Sequence, residues 1–256
     1  MTSIATWNVN SLRVRLPQLV EWLGANPVDI LALQETKLTD PEFPVADLQA
    51  LGYQVAYSGQ KTYNGVAILA RAAIGEVVVD LPGIEDPQRR LLAASIAGVR
   101  VINVYVPNGQ SVDSDKYVYK LAWLAALEKF LAAELARHPR LLVLGDFNIA
   151  PEDRDVHDPV AWQGSVLVSP AERSALARLQ ALGLEDLFRR FEQAERSFSW
   201  WDYRQGAYRR NNGLRIDLVL GSEALARHCN FCRIDREPRA WERPSDHAPC
   251  IAGFDI

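Results

Sequence analysis

The sequence has few cysteines: Cys229, Cys232 and Cys250 are the only three among 256 residues. An odd and sparse set is unlike the disulfide framework of a small secreted domain, so a reducing cytoplasm is the expected environment. Cys229 and Cys232 have C-x-x-C spacing, but no second cysteine pair is present to complete a zinc site. We expect buried or unreactive thiols, with a redox or zinc-binding use as the alternative.

Long hydrophobic runs are absent as well. No stretch approaches the roughly 18 consecutive apolar residues that are needed to cross a bilayer. The first segment, MTSIATWNVN, lacks a basic region and a long apolar core, so no secretory signal is expected. Low-complexity segments, short repeats and breaks in composition are also missing, and we predict one domain over residues 1–256.

Basic and histidine residues are in short supply. The 28 Lys and Arg residues are outnumbered by 32 Asp and Glu residues, which gives a net charge of −4. Bulk charge therefore does not favour nucleic acid, although a basic rim around an acidic metal centre is compatible with it. One of the four histidines, His247, lies in ERPSDHAPCI between Pro244 and Pro249, which predict a stiff turn. The turn alone leaves open whether His247 is functional or a polar residue near the chain end.

What the sequence does contain is an alternation of strand and helix patterns. Apolar runs predict strands at 3–9, 29–35, 53–59, 65–70, 76–81, 91–96, 99–106, 141–146 and 214–221. Amphipathic spacing and capping residues predict helices at 14–25, 115–137, 170–182 and 184–192. Because continuous apolar strands are typical of sheets covered on both faces, the chain is predicted to be α/β, with sheets packed between helices.

Polar residues gather where four of the predicted strands end. These ends carry acids, amides or a phenol, namely Asn8 and Asn10, Gln34 and Glu35, Tyr105 and Asn108, and Asp146 and Asn148. Proteins of the α/β class collect their sites at strand ends. A single strand that ends in polar residues is ordinary strand termination. Four strands whose ends carry the same kinds of polar residue predict a shared pocket.

The donor atoms of this set are hard oxygens. Carboxylates and amides come from Glu35, Asp146, Asp217, Asp246, Asn8, Asn10 and Asn148. Such ligands suit Mg²⁺ or Mn²⁺ rather than zinc, and a centre of this kind suits phosphoryl chemistry. A centre of this kind gives His247 a functional role. A carboxylate such as that of its neighbour Asp246 can hold one ring nitrogen, and the second ring nitrogen can then contact a phosphate oxygen.

Eight segments carry a family resemblance. In chain order they are WNVNSLRVRLPQL, LALQETKL, GQKTYNGVAI, RVINVYVPNG, LGDFNIAPEDRDVHDP, FSWWDYR, NNGLRIDLVL and RPSDHAP. Together they resemble the exonuclease III branch of the exonuclease–endonuclease–phosphatase superfamily over residues 3–255. GDFN or SDH alone is a weak signal, whereas the ordered set with GQKTYNGVAI and GLRID is specific.

The resemblance implies a four-layered α/β sandwich, with two mixed β-sheets packed face to face and helices on the outside. It implies Mg²⁺-dependent hydrolysis of DNA phosphodiesters in base excision repair, with Mn²⁺ as a substitute. The implied activities are 3′–5′ exonuclease, 3′-phosphodiesterase or 3′-phosphatase, and AP endonuclease. The implied partner is double-stranded DNA with abasic sites or blocked 3′ ends. We also expect a monomer, in the cytoplasm that the cysteine content indicates.

The resemblance also implies a metal site and a charged histidine. Glu35 would be the main metal ligand, with Asn10 beside it. Asp246 would join the metal shell or orient His247. His247 would stabilise the pentacovalent transition state as an imidazolium.

The remaining catalytic roles follow from the same resemblance. Asn8 would orient Asp146, which would activate the attacking water. Asn148 would position the phosphate or that water, and Tyr105 would donate to the phosphate or assist the leaving group. Asp217 would orient the surroundings of the histidine or of Tyr105.

Basic and aromatic side chains in or beside the same segments are candidates for holding DNA phosphates without reading sequence. They are Arg13, Lys37, Lys61, Tyr63, Lys116, Lys120, Arg209 and Arg215. Trp200 and Leu214 match family positions that line the pocket for a base-less sugar. Any single basic residue in this set has an ordinary alternative as a solvated surface charge.

Leu167 departs from the family pattern, because AP endonucleases of this family tend to have a small residue there, beside the pocket. A bulky side chain would hinder a flipped internal sugar and still admit a frayed 3′ end, which favours 3′-end processing over AP incision. A simple hydrophobic loop anchor is the alternative. Two other functions stay open: a phosphatase for a small phosphorylated alcohol or lipid, and an inactive nucleic-acid-binding regulator on the same fold.

Overall fold

Twelve strands and seven α-helices make up the regular structure of the chain in a computed structural model that describes residues 1–256. The strands are β1 (Thr2–Asn8), β2 (Ile30–Gln34), β3 (Gln54–Ser58), β4 (Val66–Ala70), β5 (Ile74–Val79), β6 (Leu91–Ile96), β7 (Val99–Tyr105), β8 (Leu141–Asp146), β9 (Leu184–Asp186), β10 (Asp217–Ser222), β11 (Cys229–Ile234) and β12 (Cys250–Phe254). The helices are α1 (Leu12–Ala25), α2 (Val45–Ala50), α3 (Asp115–Arg137), α4 (Pro159–Trp162), α5 (Pro170–Ala181), α6 (Ala207–Arg210) and α7 (Glu223–Ala226).

The strands form two six-stranded sheets that pack face to face. Their orders are β11-β12-β1-β2-β4-β3 and β5-β6-β7-β8-β10-β9. Neighbouring strands are antiparallel except for the parallel pairs β1–β2 and β7–β8, so both sheets are mixed. Ile4 and Ala32 of the first sheet share one cluster of 22 buried residues with Val101 and Leu144 of the second.

Helices cover the outer face of each sheet. Trp22 of α1 packs on the first sheet, and Leu127 of α3 and Leu176 of α5 pack on the second. Burial of one such leucine contributes about 1.5–3 kcal/mol. Helix α3 begins after Ser114, whose side chain caps the helix by accepting from the backbone N–H of Tyr117. The predicted four-layered α/β sandwich is confirmed, and none of the helices combines the length and apolar character that a membrane crossing requires.

The prediction of a helix at 184–192 is wrong. Residues 184–186 form β9 at the edge of the second sheet, and a single 3₁₀ turn covers Leu187–Arg190. Gly183, with a φ of 94°, ends α5 in the left-handed conformation and redirects the chain into the sheet. The short strand exposes only its middle residue, Glu185, because the two residues on either side face the core.

Strand register brings the polar strand ends to one edge of the sandwich. Asn8 pairs with Gln34 across β1–β2, and Tyr105 pairs with Asp146 across β7–β8. Antiparallel β10 begins with Asp217 opposite Asp146. Because the sheets face each other, the side chains that end these strands meet in one pocket.

Candidate active site

Asn8 joins the two sheets at the centre of the site. Its Nδ2 donates to Glu35 Oε1 and to Asp146 Oδ2, each at 2.9 Å, and its Oδ1 accepts from the backbone N–H of Asn10 at 3.0 Å. The side chain is fully buried and does not cap α1, whose N-cap residue, Ser11, makes no side-chain bond. One amide therefore sets the spacing between the two carboxylates.

The turn at 244–249 is anchored to the end of β1. Ser245 Oγ donates to the carbonyl of Asn8 at 2.7 Å, and it accepts from the backbone N–H of His247 at 3.2 Å. Trp7 Nε1 donates to the carbonyl of His247 at 3.1 Å. His247 is only 4% exposed, so it is not a solvated residue at a frayed chain end.

Of the two aspartates predicted to orient His247, Asp217 holds the ring and Asp246 does not. His247 Nδ1 lies 2.9 Å from Asp217 Oδ2, and Nε2 lies 3.7 Å from Asp146 Oδ2. Burial alone would lower the pKa of His247, but the carboxylates of Asp217 and Asp146 raise it to about 10. The ring is therefore an imidazolium at neutral pH.

Asp246 points away from the imidazole. Its Oδ2 accepts from Trp200 Nε1 at 3.0 Å, and its Oδ1 accepts from Asn10 Nδ2 at 2.9 Å. Burial would raise the pKa of Asp246, but His247 and these two donors hold it below its usual value. Asp246 is thus a fixed negative charge beside Asn10.

The pKa of Asp146 is shifted in the opposite direction from that of Asp246. Burial raises the pKa of Asp146 to about 7; His247 opposes this rise, and the carboxylates of Asp217 and Glu35 add to it. Its Oδ1 accepts from the backbone N–H of Asn148 at 2.9 Å. A carboxyl group that is fixed in place and titrates near neutrality is suited to take a proton from water.

A cationic group already lies between two of the predicted metal ligands. Lys37 Nζ is 2.8 Å from Glu35 Oε2 and 2.5 Å from Asn10 Oδ1. Possible ligand atoms of Glu35, Asp146 and His247 lie within 4.8 Å of one another. Because the oxygens of Glu35 and Asn10 both hold an ammonium group, the residues present fit a small divalent cation.

The backbone is strained at Lys37 and at the two residues that hold its ammonium group. Asn10, Glu35 and Lys37 have φ values of 44°, 52° and 55°, in the left-handed region that non-glycine residues avoid. Such conformations persist only where the surrounding structure enforces them, and they concentrate at functional sites.

Tyr105 and Asn148 complete the side of the site that the second sheet provides. Burial raises the pKa of Tyr105, and the carboxylates of Glu35 and Asp146 add to this, so the hydroxyl stays protonated and able to donate. Asn148 Nδ2 donates to the carbonyl of Val106 at 3.0 Å, which fixes the direction of its amide.

Two further residues contact this part of the site: Asn108, one of the polar residues predicted at the strand ends, and Arg90, which is missing from the predicted set. Asn108 Nδ2 donates to Asn148 Oδ1 at 3.0 Å, and the guanidinium of Arg90 lies 4.7 Å from the ring centroid of Tyr105. Asn108 had a signal in the sequence, since it is a polar residue just after the strand that ends at Tyr105. Arg90 had none, because only the pairing of β6 with β7 brings it there.

The sequence of this chain matches a known protein family. The endonuclease/exonuclease/phosphatase family model matches residues 5–247, which is nearly the whole chain. The chain belongs to this family. Exodeoxyribonuclease III of Haemophilus influenzae is 37% identical to it, over 97% of this chain and 98% of that protein.

Two solved structures resemble this family member over its full length. The 3′ phosphatase NExo from Neisseria, bound to a product DNA hairpin, is 49% identical with a TM-score of 0.98, and the match covers 100% of both chains. An AP endonuclease from Archaeoglobus fulgidus is 41% identical with a TM-score of 0.96, again over 100% of both chains. The family member described here is therefore a DNA-repair hydrolase of exonuclease III type, which removes the small-phosphate and regulator alternatives.

Most of the predicted DNA contacts of this enzyme are accessible around the site. A cavity of about 710 Å³ beside Tyr105 is lined by Tyr63 and Lys116. A smaller cavity of about 320 Å³ is lined by Arg13, Lys37 and Lys61. Arg209 is exposed on α6. Five of the predicted contacts therefore line cavities at the surface of the enzyme.

Lys120 and Arg215 are fully buried, so their prediction as DNA contacts is wrong. Lys120 forms an ion pair with Glu172. Arg215 forms ion pairs with Asp155 and Asp186 at 2.7 and 2.8 Å. A charged side chain is stable inside a protein only when it is paired. Lys120 and Arg215 are paired with carboxylates of the enzyme itself, so their charges are not available to DNA phosphates.

Leu167, Trp200 and Leu214 form a hydrophobic patch beside the histidine. Leu167 and Leu214 belong to one buried cluster, and Trp200 packs against it. Trp200 also pairs with His247 in an antiparallel bridge. Leu167 has a φ of 76°, which is uncommon for a bulky residue.

Proposed function

We propose that this enzyme acts mainly on blocked 3′ ends of double-stranded DNA and uses Mg²⁺. The observation that supports this chemistry is the bond of Asn8 to both Glu35 and Asp146, with His247 facing Asp146 at 3.7 Å. We also propose a monomer with a single catalytic domain over residues 1–256.

Glu35 and Asn10 would hold Mg²⁺, or Mn²⁺ as a substitute, because their oxygens already accept a cationic group from Lys37. When bound, the ion neutralises negative charge on the phosphate oxygens. Asp246 adds negative charge beside Asn10 and keeps the amide turned into the site.

Asp146 would take the proton of the attacking water. The Asn148 N–H holds Oδ1 and the Asn8 amide holds Oδ2, so the carboxylate cannot rotate away. Transfer is efficient because the pKa of Asp146, about 7, lies near the pH of the reaction.

His247 and Tyr105 would act on the phosphate itself. The imidazolium, held by Asp217, donates from Nε2 to a phosphate oxygen and stabilises the charge of the pentacovalent transition state. The Tyr105 hydroxyl donates to the phosphate or the leaving oxygen. The water oxygen bonds to phosphorus, the bond between phosphorus and the 3′-oxygen breaks, and a 3′-hydroxyl results.

Leu167 supports the preference for 3′ ends. Its side chain is buried against Leu214, in the cluster on which Trp200 packs, and Trp200 pairs with His247. In this proposal, a flipped internal sugar would need room there. A frayed 3′ end brings no downstream strand into that space. The relative with 49% identity is described as a 3′ phosphatase, which agrees with this preference.

AP incision is the second candidate activity. It is favoured by the Archaeoglobus fulgidus AP endonuclease, which is 41% identical over the whole chain. The same chemistry would serve both substrates, so the two activities differ only in how DNA fits beside Leu167.

Matched duplexes test the preference. Wild type and Leu167→Gly would each receive a nick with a 3′-phosphate, an internal abasic analogue, or a blunt 3′-hydroxyl, with Mg²⁺ titrated. We expect wild type to prefer the 3′-phosphate, and Leu167→Gly to incise the abasic duplex about tenfold faster, the scale of a pocket contact. Strong abasic incision by wild type that Leu167→Gly leaves unchanged would contradict the proposal.

A further inference from the structure

Lys120 lies beneath the active site, between the loops that carry Asn108 and Asn148 and the first turn of α5. It projects from α3 and is 0% exposed. Its ammonium donates to the carbonyl of Asn148 at 2.6 Å, to the carbonyl of Asn108 at 3.1 Å, and to Glu172 Oε1. Three acceptors match the three N–H groups of a lysine, so this buried cation is completely satisfied.

The ammonium controls the backbone of Asn148. That residue has a φ of 50°, in the left-handed region that costs most L-residues energy and that Asn tolerates better than most. Its carbonyl is fixed by Lys120, while its backbone N–H holds Asp146 Oδ1. If the carbonyl contact were lost, the peptide groups around Asn148 could turn, and the N–H would no longer orient Asp146.

The carboxylate of Glu172 controls the backbone of Leu167 in the same way. Glu172 Oε1 accepts from the N–H of Leu167 at 3.0 Å, and Oε2 accepts from the N–H of Ser169 at 3.1 Å. Leu167 is itself in the left-handed region, with a φ of 76°. The segment 167–169 is thus held in place by the partner of Lys120.

Gly109 shows how closely the loops pack on this pair. A Cβ atom at Gly109 would lie 3.2 Å from Lys120 Cδ and 3.1 Å from Val166 Cγ2. The stem of the lysine therefore fills the space between the loop that carries Asn108 and the segment that carries Leu167.

We propose that Lys120 and Glu172 form a buried positioning pair that couples the catalytic geometry at Asn148 to the substrate choice at Leu167. This inference rests on the proposed function. Neither residue touches DNA, and each acts through backbone groups of residues that border the reacting phosphate.

A second buried ion pair provides the control. Arg100 at the start of β7 pairs with Glu134 near the end of α3, and their side chains are 2% and 4% exposed. Both pairs involve α3 and both are buried, but Arg100 lies at the opposite end of β7 from Tyr105. Replacing a buried pair with apolar residues of similar volume is often tolerated, so both double variants are practical.

The experiment compares Lys120→Met/Glu172→Leu with Arg100→Met/Glu134→Leu. Single-turnover rates and KM are measured on the 3′-phosphate and abasic duplexes, under conditions where urea unfolding shows each variant to be folded. We expect the first double variant to lose about 10²-fold in rate at saturating DNA, the scale of a 1 Å misplacement, and to change its ratio of abasic to 3′-end activity. The control pair keeps both the rate and the ratio.

Equal rates and ratios in the two double variants would overturn the inference, whether both are normal or both are reduced. If Lys120→Met/Glu172→Leu does not fold, Glu172→Gln carries the test, because it keeps the size of the side chain and removes the charge. An unchanged ratio in Glu172→Gln likewise overturns the inference. Failure of wild type on the 3′-phosphate duplex would instead contradict the proposed function.

Discussion

At the scale of single residues, the charge of His247 is set by its neighbours in the second sheet. The pKa of His247 is raised to about 10 by Asp217 and Asp146, against the effect of burial. Because this folded-state value exceeds the unfolded value of about 6.5, the ionised ring stabilises the fold fully below pH about 6.5. That stabilisation is lost as pH rises through about 10.

Asp217→Asn should therefore shift the alkaline limb of activity. The substitution keeps the shape of the side chain but removes the carboxylate that holds Nδ1, so the pKa of His247 falls. The imidazolium is then lost at a lower pH than in wild type. Single-turnover rates measured across the alkaline range would check this, and an alkaline limb at the wild-type position would show that Asp217 does not set the charge of His247.

The partner of the histidine shows where sequence reasoning reached its limit. Asp246 precedes His247 directly and was the nearer candidate, yet the aspartate that binds the ring is 30 residues away in the sequence. His247 lies in an extended bridge with Trp200, and consecutive side chains of extended backbone point in opposite directions. Glu35 and Asp146 were easier to predict, because each ends a clearly apolar strand.

At the scale of elements, the strongest sequence patterns predicted the structure best. Amphipathic spacing and capping residues predicted α3 with its observed bounds, 115–137. Strand β11 escaped prediction because its sequence, CNFCRI, mixes polar and apolar residues at the edge of a sheet. The prediction of a helix after Gly183 was wrong because Leu184 and Asp186 pair with β10. This pairing joins residues far apart in the sequence, so local propensities cannot predict it.

Helix α3 and the loop before it should depend on Ser114. Its Oγ accepts from the N–H of Tyr117 and donates to the carbonyl of Gly109 at 2.6 Å. Ser114→Ala should lower the free energy of unfolding by about 1 kcal/mol, the typical value of a lost helix cap. Urea denaturation measures this, with Ser111→Ala as the control, since the side chain of Ser111 is exposed. Equal losses in the two variants would contradict a capping role.

At the scale of the whole molecule, two sheets that pack through apolar faces meet at one polar edge. Glu35 and Asn10 follow strands of the first sheet, whereas Asp146 and Asp217 belong to the second. Asn8 joins the two sets by bonding to Glu35 and Asp146 together. The site therefore exists only when the sandwich is closed, which explains why the sequence could name its residues but not their distances.

The most direct test of this account is the single-turnover hydrolysis of a 3′-phosphate duplex by wild type and Asp146→Asn with Mg²⁺. Asp146→Asn keeps the shape of the site and removes the group that takes the proton from water. We predict that the rate falls by at least about 10²–10³-fold, the cost of losing one key group in a transition state. DNA binding and the urea midpoint should remain near those of wild type. A near-normal rate for Asp146→Asn would contradict the assignment of this pocket as the active site.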